Sequence, residues 1–293
     1  MITSIECIPC LLRQTLDAAR MAGVDQEIQA RIMHKVLALL SEMDLFQSPP
    51  ELAQKIHRII RDTTGVADPY EEIKHKLNKA AMDLYPELKR MVQTAADPLT
   101  MAVRLAIAGN AIDMGVNGHF QSRDVLRIVA TAVEEPFSGD IKSFRSALKQ
   151  AKSILYLADN SGEIVFDRVL IEHISLDRVT LVVRGGPVIN DATRVDAQEV
   201  GLDKLVEVID NGSDAPGTIL KDCSVEFQNR FHNADLIISK GQGNYETLND
   251  VPGNVYFLFK TKCALIRDHT QQPVGTQVLL QTQAKLAETI SYA

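Results

Sequence analysis

Three short apolar runs, Ser153 to Ala158, Val179 to Val183 and Leu236 to Ser239, each give way at once to polar residues and glycine. Runs of this length, apolar at successive positions and rich in β-branched residues, suit parallel strands covered on both faces. Helix-length stretches such as Glu163 to Ile174 lie between them. Alternation of strand and helix predicts a mostly parallel sheet with right-handed crossovers. Val206 to Ile209 and Val255 to Phe259 extend the same sheet. In an open α/β sheet the ends of neighbouring strands converge on one crevice, so the polar clusters that follow the runs are expected to meet there.

The N-terminal part reads differently. From Cys7 to about Ser138 no strand pattern occurs, while apolar residues recur at helical spacing in Ile32, Val36, Leu39 and Leu40 and again in Leu99, Val103, Leu105 and Ile107. Roughly five to seven helices should fill this stretch. Breaker signals fall at Ser48-Pro49-Pro50, Asp68-Pro69, Asp97-Pro98 and Glu135 to Gly139. The last marks a boundary between a helical portion, 1–138, and an α/β domain, 139–293, although one continuous body with a helical layer is equally compatible. The expected fold class is therefore α/β: a three-layer α/β/α arrangement with a Rossmann-like sheet, preceded by an all-helical portion. Leu279 and Leu280 read as core, and 282–290 as a terminal helix carrying Lys285 and Glu288 on a solvated face.

Composition removes whole classes. A formal charge of −7 on 293 residues, with no basic run, argues against phosphate-neutralising binding of nucleic acid. No apolar stretch is long enough to span a bilayer, and the start Met-Ile-Thr-Ser-Ile-Glu lacks the features of a leader. A cytoplasmic protein is expected. Four Cys are too few for a disulfide-stapled scaffold. The seven His form no paired ligand spacing.

The clusters carry the chemistry. Asp159 offers a carboxylate at a strand end and Asn160 a carbonyl oxygen, both hard donors suited to Mg²⁺ or Mn²⁺. Asp191, in the stretch Arg184 to Thr193 after the next strand, is placed to supply a third oxygen, leaving positions on an octahedral ion for water and a substrate phosphate. Ser161, Gly162 and Glu163 then open a helix whose first N–H groups can face an anion; the plainer alternative is that Asp159 or Ser161 only caps it. Lys240, Gly241, Asn244 and Glu246 follow the third run, and a strand-end Lys beside glycines suits phosphate. The competing reading is a solvated turn. In the small-residue segment Ala106 to Gly115, Asn110 and Asp113 share a face and can line the crevice or serve a close helix–sheet contact. No G-x-x-x-x-G-K-[ST] segment occurs, and Glu246 stands where a dinucleotide fingerprint needs its third glycine.

Together these segments resemble the metal-dependent damage-control phosphatases, the domain of unknown function 89 family. The matching motifs are Gly109-Asn110-Ala-Ile-Asp113, Asp159-Asn160-Ser161-Gly162-Glu163-Ile-Val-Phe-Asp167, Arg184-Gly-Gly-Pro-Val-Ile-Asn-Asp191-Ala-Thr193 and Ser239-Lys240-Gly241-Gln-Gly-Asn244-Tyr-Glu246-Thr247. Cys7-x-x-Cys10 resembles the prokaryotic branch. The resemblance implies a divalent metal, Mn²⁺ or Mg²⁺ with Co²⁺ or Ni²⁺ as alternatives, held by Asp159, Asn160 and Asp191. It implies phosphate recognition by Lys240 and nearby groups, Arg184 among them, and hydrolysis of small phosphorylated metabolites such as sugar phosphates or damaged cofactors. Direct attack by water is preferred over a covalent route, because no Asp-x-Asp motif is present, with Asp167 or Glu246 as a base.

Two other classes are compatible. Gly241-x-Gly243 after a strand suits the nucleoside of an S-adenosylmethionine-dependent carboxyl methyltransferase, and the same pocket without turnover would make a metal or phospholigand-binding protein. Cys7 and Cys10 read as free thiols by default, with a structural or redox role as the alternative; Cys223 and Cys263 are single in sequence but can join them in space.

Overall fold

The computed structural model describes residues 1–110, 130–131 and 134–282. Asp113 and the expected terminal helix beyond Thr282 lie outside the described residues. Five helices come first: α1 (Cys7–Met21), α2 (Gln26–Ser41), α3 (Pro49–Thr64), α4 (Glu71–Thr94) and α5 (Pro98–Ala108). Two of the sequence's breaker signals turn out to be helix starts. Ser48 forms a capping box with Glu51 ahead of prolines in the first turn of α3, and Asp97 accepts from Thr100 N ahead of Pro98. A proline at this position sacrifices an N–H that has no helical partner anyway.

The remaining elements alternate: β1 (Phe137–Gly139), α6 (Ile141–Gln150), β2 (Ile154–Leu157), α7 (Glu163–His173), β3 (Val179–Val183), α8 (Arg194–Glu199), β4 (Glu207–Asp210), α9 (Val225–Asn233), β5 (Leu236–Lys240), α10 (Gln242–Leu248), β6 (Val255–Lys260), α11 (Ala264–Thr270) and β7 (Gln277–Gln281). Their sheet has seven strands in the order β1-β7-β6-β5-β2-β3-β4. Every pairing is parallel except β6 with β7. The five strands expected from sequence are all present. Two were not expected: β1, only three residues inside what reads as a boundary turn, and β7, whose Leu279 and Leu280 read as core without a strand assignment.

After β4 the chain returns to pair β5 on the other side of β2, so the order reverses between these two strands. Crevices of α/β sheets form at such reversals, at the carboxyl ends of the strands. Asp159 follows β2 there, and Gly241 follows β5.

Alternate residues of the sheet feed two cores. Ile154, Tyr156, Leu181, Val183, Ile238 and Leu258 pack with apolar residues of α4, α5, α6 and α7. Leu155, Leu157, Val182, Ile237, Phe257 and Phe259 pack with Phe227 and Phe231 of α9 and Tyr245 and Leu248 of α10. The first core runs across position 138, because α4 and α5 cover the sheet. A third core belongs to α1, α2 and α3, with Ile189 of the Asp191 loop packed against it. These three helices form a cap beside the crevice. Among the described residues no helix is long and apolar enough to cross a membrane.

Candidate metal and phosphate site

At the strand reversal a cavity of about 400 Å³ opens between the sheet and the cap. Asp159, Asn160, Asp191, Gly243, Glu246 and Lys262 line it from the sheet side, Cys7, Cys10, Pro50 and Ala53 from the cap. Main-chain bonds bring the two acidic loops together. Ala192 N donates to Asp159 O at 2.7 Å, Ser161 N donates to Asn190 O at 2.8 Å, and Asn160 bridges Asp191 in antiparallel fashion. The three expected metal ligands therefore share one wall. Among the described residues no three His, Cys, Asp or Glu side chains gather into a metal-holding group. The candidate set is instead two carboxylates and an amide carbonyl, an all-oxygen set of the kind hard divalent ions take.

Nothing caps α7 through a side chain: Gly162 stands at its N-cap with φ 75°, and the alternative of Asp159 or Ser161 as a mere cap is not realised. Gly162 N donates to Asn78 Oδ1 at 2.7 Å, and Ser161 Oγ donates to Asp196 Oδ1 at 2.8 Å. The start of this helix is thus bound to protein groups, and the expected anion cradle at Ser161, Gly162 and Glu163 faces α4 and α8 in place of the cavity.

Several expected phosphate contacts also point inward. Lys240 is wholly buried, its Nζ donating to Glu163 Oε1 at 2.6 Å, Asp167 Oδ1 at 2.5 Å and Ala106 O at 2.8 Å. Burial alone would lower its pKa, yet Asp167 and Glu163 hold it above the ordinary value. Arg184 Nε donates to Asp191 Oδ2 at 2.7 Å and its Nη1 to Asn244 Oδ1 at 3.1 Å, so this arginine and Asn244 orient Asp191 from below. Asn110 Nδ2 donates to Asp159 Oδ2 and to Glu163 Oε2, each at 2.8 Å. Asn110 braces the wall of candidate ligands and is not among the residues lining the cavity. Asp167 is also fully buried, its carboxyl pushed up to about 6 by burial despite Lys240, which takes it out of reach as a base in the cavity.

Among the described residues the buried charge in this region does not balance. Asp159, Glu163, Asp167 and Asp191 are buried carboxylates, and the buried cations among them are Lys240 and Arg184. Burial, then Glu163 and Asp191 close by, push the Asp159 carboxyl well above its ordinary range. Buried charge without a partner is costly. Lys262 on the cavity wall offsets part of this excess negative charge; a divalent cation beside the carboxylates would offset more, and the residues present fit such an ion.

Two cavity-lining groups stand apart. Glu246, buried at 7 % exposure, has its carboxyl pushed up to about 7 by burial. Lys262 was missed by sequence reasoning; it follows β6, and applying to that strand end the rule used for the other three would have found it. Cys263 brings a third thiol to the cavity wall beside Cys7 and Cys10, whereas Cys223 is buried in the core of the opposite face. Gly243 packs on Pro216, where an added Cβ would lie 2.2 Å from the carbonyl oxygen.

Comparison with known proteins places the chain among relatives of the same fold. Residues 3–278 match the family profile described as the damage-control phosphatase ARMT1-like domain. A damage-control phosphatase of Pyrococcus horikoshii is 34 % identical over 287 residues, covering 96 % of this chain and 98 % of that protein. One from Archaeoglobus fulgidus is 34 % identical over 280 residues, covering 93 % and 96 %. An uncharacterized protein of Methanocaldococcus jannaschii is 35 % identical over 292 residues, covering 94 % of each. The crystal structure of a DUF89 family protein from Pyrococcus horikoshii superposes with a TM-score of 0.88 at 33 % identity, covering 97 % of this chain and all of that one.

Proposed function

The chain belongs to the ARMT1-like damage-control phosphatase domain family, and from that premise we propose that it is a divalent-metal-dependent phosphomonoester hydrolase acting on small phosphorylated metabolites, sugar phosphates or damaged phosphorylated cofactors. The observation that carries the reading is the unbalanced cluster of buried carboxylates around Asp159, on the wall of a cavity large enough for a small metabolite.

Asp159, Asn160 and Asp191 would hold Mn²⁺ or Mg²⁺, with Co²⁺ or Ni²⁺ admitted by the general affinity order. When bound, the ion supplies a Lewis acid for the phosphoryl oxygens and makes a water more acidic. Arg184 keeps the Asp191 carboxylate in place by its 2.7 Å bond. Among the described residues lining the cavity the cation is Lys262, and it takes the phosphate role that sequence reasoning gave to Lys240. A lysine there stabilises the charge of the transferring group in a site partly screened from water. Glu246, titrating near neutrality, accepts a proton from the attacking water, since a base is most effective when its pKa lies near the working pH.

The deciding experiment measures phosphate release from a panel of phosphometabolites by metal-stripped protein re-supplied separately with Mg²⁺, Mn²⁺, Co²⁺ and Ni²⁺, alongside Asp159→Ala. Metal-dependent release that disappears in the variant is expected. Phosphosugar binding without release under any metal would leave a binding protein.

A further inference from the structure

Beneath the cavity wall, the Lys240 bonds continue into the candidate metal ligands through Glu163. One oxygen of Glu163, Oε1, is held by Lys240 Nζ at 2.6 Å. Its other oxygen, Oε2, accepts from Asn110 Nδ2 at 2.8 Å and from Asn160 Nδ2 at 3.1 Å. The same two amide nitrogens donate to Asp159 Oδ2, at 2.8 and 2.9 Å. Asn110, Asp159, Asn160, Glu163 and Lys240 are all buried. Each NH₂ group is thus pinned between two carboxylate oxygens, and an amide pinned by its nitrogen has no choice of orientation. The end of Asn160 left for a cation is then its carbonyl oxygen. Asp159 Oδ2 is likewise supplied with two donors, while Oδ1 lies 3.8 Å from Arg184 Nη2.

We propose that Glu163, anchored by Lys240, is a positioning residue that presents Asn160 by its oxygen and fixes the Asp159 carboxylate, so that the metal wall is set before any ion arrives. The proposal rests on the metal-dependent reading above. Lys240 then acts as a resident cation inside the protein and never touches substrate. Replacing the Glu163 carboxylate with an amide puts an NH₂ group against either Lys240 or the two asparagines; in the second case Asn160 turns over and offers N–H groups to the cation. Partners one shell out from a metal affect affinity by about 10–100-fold in other sites.

The test is Mn²⁺ binding, read from the resonance signal of free Mn²⁺, for wild type, Glu163→Gln and Glu163→Asp, with folding checked by thermal melts. Glu163→Asp keeps the charge that Lys240 needs and withdraws the oxygen from the amides, so it decides the matter should Glu163→Gln fail to fold. At least tenfold weaker Mn²⁺ binding by a folded variant is expected. In turnover assays the Mn²⁺ concentration at half-maximal rate should rise more than the rate at saturation falls. Folded variants that bind Mn²⁺ as wild type does would overturn the positioning role alone. No Mn²⁺ binding by wild type would overturn it together with the metal reading.

Discussion

The Asp159 carboxylate occupies the space that a side chain at position 241 would need: a Cβ built on Gly241 would stand 1.8 Å from Asp159 Oδ2. Gly241 also has φ 79°, a conformation that non-glycine residues adopt only at a cost. The residue that follows β5 therefore shapes the acidic group that follows β2. Gly241→Ala should displace Asp159, lowering metal-dependent turnover by about tenfold or more and stability by about 1–3 kcal/mol. Mn²⁺ titration and melting of the purified variant check both. Wild-type affinity in the variant would show that Asp159 tolerates the displacement.

Removing one buried negative charge should help the metal-free protein. Asp159→Asn keeps the shape of the side chain, and in chelator its unfolding free energy should exceed wild type by about 1–2 kcal/mol. The sign follows from the raised pKa of Asp159. The unfolded chain ionises first as pH rises past about 4, so the wild-type penalty grows from there and reaches its full size above the folded value. The advantage of the variant should accordingly be wide at neutral pH and vanish below about pH 4. Added Mn²⁺ should stabilise wild type and leave Asp159→Asn unmoved. Denaturant melts with and without chelator read all of this.

His57 of α3 works in the opposite sense. It is buried at 2 % exposure, and burial, with Arg61 nearby, pushes its pKa down from 6.5 to about 4. Between these values the unfolded chain binds a proton that the folded chain refuses, so stability falls as pH drops through this window. The loss from this one group amounts to about 3 kcal/mol when complete. Denaturant melts at about pH 7 and pH 4.5, compared with His57→Gln, isolate the contribution; parallel pH profiles for the two proteins would sink the prediction.

The thiols should separate by reactivity. Cys10 and Cys263 are exposed on the cavity wall; burial and then Cys263 raise the Cys10 thiol, while burial pushes that of Cys223 up to about 12. Since the thiolate is the reactive species, a mild alkylating reagent should modify Cys10 and Cys263 in the native protein and reach Cys223 only on unfolding. A phosphometabolite held in the cavity should slow the first two. Peptide mass spectrometry of timed samples would show the order, and early labelling of Cys223 would contradict it.

Much of the fold was legible because the sheet is buried on both faces. Val179–Val183 and Val255–Lys260 are nearly continuous apolar runs, and burial of this kind leaves few other readings. Phe137–Gly139 and Gln277–Gln281 were not legible as strands, since the first is three residues long and the second has apolar residues only at its centre; partners far away in the chain make them strands. The site was legible in which residues come together and not in which way they face. Asp159, Asn160 and Asp191 do share a wall, as strand-end logic requires. Lys240 belongs to the same region, but its direction depends on Glu163 and Asp167 from another element, and no local pattern records that. Lys262 was missed because the run before it was read only as a strand.

The loop that carries Asp191 is fastened to the cap. Arg61 of α3 donates through Nη1 to Pro187 O at 2.9 Å and through Nη2 to Asp214, which also accepts from Gln54 Nε2 at 2.7 Å and Arg58 Nη2 at 2.6 Å. Asp214→Ala should cost about 2 kcal/mol through these charge-assisted bonds and raise protease cleavage between α3 and α4 in limited digestion. Digestion unchanged from wild type would mean that the α1–α3 core holds the cap in place unaided.

That fastening ties entry to chemistry. Lifting α3 away from the sheet must either release Arg61 from Pro187 or pull the turn that ends in Asp191 along with it. In the second case the cavity rim and the Asp191 carboxylate move as one piece, and a molecule too bulky for the cavity would displace that carboxylate as it entered.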